Sequence, residues 1–153
     1  MLGPHLMLDL YGCDVGKLDS EKFLTSFLLD LPERIGMRRI SDPHILRYEG
    51  NSESFDSGGI SAFVLIAESH ISVHTFVEQR YASVDIFSCK QFDTEFTKNY
   101  IFSAFSAKRA EIRLLNRGRE FPKDVRKSKG IAIKQRAKLG DSEAFRTLKE
   151  TKA

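Results

Sequence analysis

Apolar and polar positions change their period several times along the chain, and each change marks an element. Residues 5–11 (HLMLDLY) alternate loosely and run into Gly12, which predicts a strand closed by a turn. Residues 18–31 switch to helical spacing, with Phe23, Phe27, Leu28 and Leu31 on one face. Asp19 or Ser20 can accept the first free amides of that helix, and Pro32 is expected to stop it. Residues 37–48 read as a weaker pair of strands interrupted at Asp42 and Pro43. Residues 49–59 (EGNSESFDSGG) read as a polar loop with a single aromatic, Phe55.

Residues 60–67 (ISAFVLIA) and 72–76 predict neighbouring strands with little between them except Glu68, Ser69 and His70. Residues 81–89 (YASVDIFSC) alternate, placing Tyr81, Ser83, Asp85, Phe87 and Cys89 on one face and Ala82, Val84, Ile86 and Ser88 on the other. Cys89 therefore lies at a strand end. Phe92, Phe96, Tyr100 and Phe105 recur at near-helical spacing and predict a second core helix over 92–107, followed by a last strand over 110–115. Most strands are joined by short links rather than helical crossovers, so the sheet should be mainly antiparallel, with both helices on one face. That is an α+β two-layer sandwich. Past Pro122 the large apolar anchors thin to Ile131, Ile133, Leu139, Phe145 and Leu148. The expected division is a domain over 1–121 and an extension over 122–153 that is helical and peripheral or partly disordered.

Composition and charge narrow the function. A chain of 153 residues supports one domain with a real core, and 41% hydrophobic with 29% charged residues excludes wholesale disorder and collagen-like repetition. No apolar run approaches the ~18 residues of a membrane span. His5 and Asp9 interrupt the start of the chain where a leader would be apolar, so a cytoplasmic protein with no membrane partner is expected. The net charge of +3 hides an asymmetry: residues 1–103 hold 9 Lys and Arg against 15 Asp and Glu, and residues 104–153 hold 15 against 6. The basic part has only Phe105, Phe121 and Phe145 as aromatics, too few for a stacking platform, so it reads as a solvated face rather than a nucleic-acid site. Cys13 and Cys89 are too few for a disulfide framework or a four-cysteine zinc site.

Three features carry possible chemistry: the Glu68, Ser69, His70 tripeptide, His74, and Cys89. Each alone is more often structural, as a hydroxyl bonded to nearby backbone, a satisfied strand histidine, or a small hydrophobe. Together they say more. No Gly-x-Ser-x-Gly elbow surrounds Ser69, and a preceding acidic residue would repel a hydrolase oxyanion, which argues against an esterase. His70 and His74 stand about 13 Å apart if both lie on a strand, too far for one metal ion, and no metal is expected.

At this point the residues resemble a known family. The run GGISAFVLIAESHISVHTFVEQRYASVDIFSCK, residues 58–90, is similar to the prokaryotic S-adenosylmethionine decarboxylase proenzymes in three respects. These are the ESH tripeptide, the H-T-x-x-E run from His74 to Glu78, and a cysteine twenty residues after the serine. Residues 3–14 (GPHLMLDLYGCD) resemble that family's first strand, and the likeness spans residues 3–119. The resemblance implies self-cleavage: Ser69 attacks the carbonyl of Glu68, elimination splits the chain into residues 1–68 and 69–153, and a pyruvoyl group is formed from Ser69. Such a ketone takes up a substrate amine and drains the electron pair that decarboxylation leaves, as pyridoxal phosphate would.

The resemblance also implies roles for other residues. His74 would handle the proton of the elimination, with Ser61 assisting. Cys89 would reprotonate the substrate carbon, a task suited to a thiol of ordinary pKa about 8.5. Phe55 would stack on adenine, and Glu78 would hold the ribose hydroxyls. The implied reaction converts S-adenosylmethionine to its decarboxylated form, the aminopropyl donor for spermidine. The implied assembly is a homodimer in which Ser69 and Cys89 of one subunit meet Ser61, His74, Phe55 and Glu78 of its partner. Two departures touch the pocket wall: Phe76 and Val77 stand where members commonly carry Trp-Pro, and Lys90 where they carry glycine. Arginine or ornithine, decarboxylated by relatives with the same machinery, is the alternative substrate. A non-catalytic paralogue pairing with an active subunit is the other reading, and the intact Ser69, His74 and Cys89 speak against it.

Overall fold

The computed structural model describes residues 2–51, 58–118 and 120–121. Phe55 and the extension over 122–153 lie outside the described residues. The chain divides by its contacts into two units, Gly3–Arg117 and a second made of Met1–Leu2 with Gly118–Ala153. Every described strand and helix lies in the first. In chain order these are β1 (Gly3–Tyr11), α1 (Val15–Leu18), α2 (Glu21–Arg34), β2 (His44–Tyr48), β3 (Gly59–Ile66), β4 (Ser69–Phe76), β5 (Tyr81–Ser88), α3 (Thr94–Ala104) and β6 (Arg109–Arg117).

The strands form one six-stranded sheet in the order β2-β3-β4-β5-β1-β6, with every neighbouring pair antiparallel. Alternation assigns its two faces. Leu6, Leu8, Leu10, Val64, Ile71, Val73, Val84 and Ile86 point to the helical side and are fully buried or nearly so. There they join Leu24, Phe27, Leu28 and Leu31 of α2, Ile101 of α3, and Phe105 beyond it in one core. Phe27 meets Phe105 edge-on at 5.1 Å between ring centroids, which locks the two helices together above the sheet. The result is the expected α+β two-layer sandwich. Among the described residues its other face carries no helix.

Several boundaries differ from the sequence expectation. The helix predicted over 18–31 is α2, which starts at Glu21 where Ser20 Oγ accepts from Phe23 N at 3.1 Å, and an unpredicted single turn, α1, capped by Asp14, precedes it. Pro32 does not stop α2 but sits inside its last turn, where its missing N–H removes one helical bond. The helix ends instead in a Schellman turn: Met37 N donates to Pro32 O at 2.8 Å, Gly36 N donates to Glu33 O at 3.0 Å, and Gly36 takes φ +69°. The predicted strand pair over 37–48 is one strand, β2, with an isolated bridge from Arg39 to Ile66. In α3 the phase is shifted by one residue, so that Thr97 and Ile101 are buried while Phe96 is 42% exposed.

Candidate active site

The largest correction falls on the tripeptide. The second of the two strands begins at Ser69 rather than at residue 72, so β3 and β4 form a hairpin closed by Ala67 and Glu68 alone, with Ile66 opposite Ser69. The Glu68–Ser69 peptide is thus the exit from a two-residue turn. Ser69 takes φ +152°, a value rare in any residue but glycine, and strain of this kind stores on the order of 1–3 kcal/mol.

That peptide is held from two sides. The segment after α2 lies along the hairpin tip: Ala67 N donates to Arg38 O at 2.8 Å, Ile40 N donates to Leu65 O at 3.0 Å, and Arg38 N donates to the Glu68 carboxylate at 3.3 Å. On the other side Cys89 N donates to the backbone carbonyl of Glu68 at 2.9 Å. The amide of Cys89 is fixed by its neighbours. Ser88, fully buried, donates through Oγ to Lys90 O at 2.7 Å and accepts from Lys90 N at 2.9 Å, and Lys90 Nζ reaches Gly36 O at 2.7 Å. Gly3 permits the approach of β1 here, since a Cβ on it would lie 1.9 Å from Ser88 O. Cys89 itself is exposed, so it does not pack as a small buried hydrophobe. The other thiol, Cys13, is buried among apolar groups, and desolvation pushes it up to about 11, so it serves packing.

Ser69 Oγ lies 3.1 Å from His70 Nδ1. Burial holds His70 below the ordinary histidine range, helped by the positive surroundings of His5 and Arg117 and opposed by Asp85. His5 Nε2 stands 3.3 Å from Asp85 Oδ1, close enough to pair in charge but without the alignment of a hydrogen bond. Phe87 packs edge-on against His70, with ring centroids 6.0 Å apart.

Ser61 and His74 face each other across β3 and β4, with Ser61 Oγ 3.0 Å from His74 Nδ1. They do not meet Ser69 in the same chain. His74 is five residues along β4 from Ser69, about 16 Å at the rise of a strand. Glu78 lies farther still, exposed in the turn after β4, on a cavity of about 300 Å³ whose wall includes Asp19, Arg47, Glu49 and Val77. Arg47 is engaged by Asp19 and Glu21, so the carboxylates of Glu49 and Glu78 leave this cavity acidic. Phe76 faces a different, mainly apolar cavity of about 320 Å³ with Tyr11, Gln79 and Tyr81. Burial, and then the hydrogen bond to Asp9, raise the Tyr81 hydroxyl well above its ordinary range. Among the described residues no three His, Cys, Asp or Glu side chains converge on a point that a metal ion could occupy, and no helix is long and apolar enough to cross a membrane.

The S-adenosylmethionine decarboxylase family model matches residues 4–118. The chain belongs to this family. It is 33% identical over 120 residues to S-adenosylmethionine decarboxylase proenzyme 2 of Halalkalibacterium halodurans, a match covering 76% of this chain and 87% of that protein. It is 30% identical over 132 residues to the S-adenosylmethionine decarboxylase proenzyme of a Geobacillus species, covering 85% of this chain and 98% of the relative. The crystal structure of adenosylmethionine decarboxylase from Aquifex aeolicus matches with a TM-score of 0.64 at 30% identity, over 76% of this chain and 91% of that one. Within this decarboxylase family scaffold the residues expected to form the site fall into two groups at opposite ends of the sheet. Glu68, Ser69 and Cys89 are together at one end, while Ser61, His74 and Glu78 lie toward the other. Sequence reasoning missed the backbone amide of Cys89 and the hydroxyl of Ser88. The parity of 81–89, which turns Ser88 inward, was the available signal for the latter.

Proposed function

We propose that this chain is a self-processing, pyruvoyl-dependent decarboxylase that converts S-adenosylmethionine to decarboxylated S-adenosylmethionine for spermidine synthesis. The observation that carries the reading is the strained Glu68–Ser69 peptide, with its carbonyl held by the Cys89 amide and the Cys89 side chain open to solvent beside it. Ser69 fits the origin of a pyruvoyl group, because cleavage on its N-terminal side frees it at the start of β4 without breaking a strand. When formed, that group supplies an electron sink for decarboxylation. The chain's own residues do the rest. Cys89 holds the proton returned to the substrate carbon, while from the second subunit of the dimer His74 with Ser61 takes the Cα proton of Ser69 in the elimination and Glu78 accepts from the ribose hydroxyls, with Phe55 against the adenine. The acidic cavity at Glu78 suits a substrate that carries a diol and a sulfonium cation.

The working unit in this reading is a cytoplasmic homodimer of residues 1–121, with 122–153 as a basic extension. Leu46, Phe63, Leu65 and Leu115 are 38–65% exposed on the helix-free face, which supports its burial against a second copy. A denaturing gel of purified protein should show two fragments, the larger beginning at Ser69, and borohydride should reduce a carbonyl on it. Release of CO2 from S-adenosylmethionine, and not from arginine or ornithine, then identifies the substrate. An uncleaved chain with no reducible carbonyl overturns the proposal.

A further inference from the structure

We infer that His70 is the general base of the first processing step and that the backbone N–H of Cys89 stabilises the oxyanion of that step. The inference rests on the reading of Glu68–Ser69 as a self-cleaving bond. It assigns the first step to the ring that touches Ser69 Oγ within the chain and leaves the elimination to His74, which lies about 16 Å along the strand from Ser69 in the same chain and reaches it only from the partner subunit of the proposed dimer.

The acyl shift needs three things at one peptide: a hydroxyl losing its proton, a carbonyl oxygen gaining charge, and a nitrogen gaining a proton as it leaves. His70 Nδ1 sits 3.1 Å from Ser69 Oγ, within reach for direct transfer. With the ring proton on Nε2, Nδ1 is free to accept. The partial burial that keeps His70 neutral supports this form near neutral pH. Cys89 N is 2.9 Å from Glu68 O, the atom on which negative charge develops. The step balances within the chain. Ser69 Oγ bonds to the Glu68 carbonyl carbon and its proton passes to His70 Nδ1. The bond from that carbon to Ser69 N then breaks, Ser69 N takes the proton back from His70, and an ester remains with His70 unchanged. The strained φ of Ser69 relaxes as the peptide opens, which favours the forward direction. Elimination from that ester is a separate reaction, on the Cα proton of Ser69, and belongs to the Ser61 and His74 pair.

The test uses full-length chains followed from synthesis on a denaturing gel, with and without hydroxylamine, which cuts esters but not amides. Wild type should cleave unaided. His74→Ala should accumulate ester and be cut only with hydroxylamine. His70→Asn and His70→Gln, confirmed as folded by circular dichroism, should cleave at least about 100-fold more slowly and release no fragments with hydroxylamine. In His70→Ala added imidazole should restore cleavage, which a merely structural role would not produce. If wild type does not cleave, the underlying reading of the bond fails. If wild type cleaves and either His70 variant cleaves within about threefold of its rate, or accumulates hydroxylamine-labile ester, the assignment of His70 is overturned.

Discussion

Ser88→Ala probes the support beneath the proposed cleavage site. Its hydroxyl is fully buried and joins Lys90 N and Lys90 O at 2.9 and 2.7 Å, closing the turn whose first residue presents its amide to Glu68 O. Each such bond contributes about 0.5–1.5 kcal/mol net, and water reaching the exposed Lys90 recovers part of what is lost. The destabilisation should therefore be about 1–2 kcal/mol. For a unit of this size that lowers the unfolding midpoint by roughly 4–8 °C. The measurement belongs in a Ser69→Ala background, where every molecule is uncleaved. The effect on processing follows from the same contacts. Removing an oxyanion donor outright slows reactions about 10²–10³-fold, whereas Ser88→Ala loosens the donor without deleting it, so cleavage in the Ser69 background should slow by about tenfold. Ser88→Thr, which keeps the hydroxyl, should stay within a factor of about three. A Ser88→Ala chain that unfolds at the lower temperature yet cleaves at the wild-type rate would refute the link between this turn and the scissile carbonyl.

Cys89→Ala keeps the backbone amide and removes the thiol, so processing should continue while turnover of S-adenosylmethionine falls by about 10²–10⁴; near-wild-type turnover would mean that another group returns the proton. Glu78→Gln should raise KM for S-adenosylmethionine about tenfold or more with processing unchanged, read from CO2 release at varied substrate, and an unchanged KM would move the ribose site elsewhere. Stability of the Ser69→Ala protein should fall as pH drops past about 6.5, because the unfolded chain takes up a proton that folded His70 resists through its burial and then through the charges of His5 and Arg117, with Asp85 offsetting part of the effect. The loss is complete once folded His70 itself protonates. Scanning fluorimetry from pH 8 to 5 checks this, and His70→Asn should flatten the profile.

Period alone placed β1 and β5 and the buried face of α2, because in these stretches each residue's neighbours on both sides agree on its face; in α3 it was off by one residue. It failed where a single residue was read as a boundary. Pro32 looks like a stop, yet in the last turn of a helix it removes one bond, and the signal that ends α2 is Gly36 four residues later. Glu68, Ser69 and His70 look like turn residues, yet Ser69 and His70 belong to the strand, since a two-residue turn suffices to reverse an antiparallel pair. The contacts that hold the Glu68–Ser69 peptide were out of reach of any local pattern. Cys89 N reaches Glu68 O across 21 positions, and Arg38 N reaches the Glu68 side chain across 30.

Strand arithmetic also bears on why such a site would be divided between two subunits. Ser61 and His74 are paired by the β3–β4 register, and that same register puts Ser69 at the opposite end of the hairpin. The sheet is rigid across this distance because both strands are interior, paired on each side, and no rotation of a side chain spans about 16 Å. A second copy turned end for end over the helix-free face would place its His74 end above the Ser69 end of the first, and the reverse, in one symmetric contact. The exposed Phe63 and Leu65 lie on β3, which carries Ser61 and leads into the turn at Ala67 and Glu68, so burying them would also exclude water from both ends of the proposed site. Phe63→Asp should then disrupt dimerisation in analytical ultracentrifugation and, by separating His74 from its target, leave chains that accumulate hydroxylamine-labile ester at Ser69. Monomeric Phe63→Asp protein that still completed cleavage would show that the elimination needs no partner subunit.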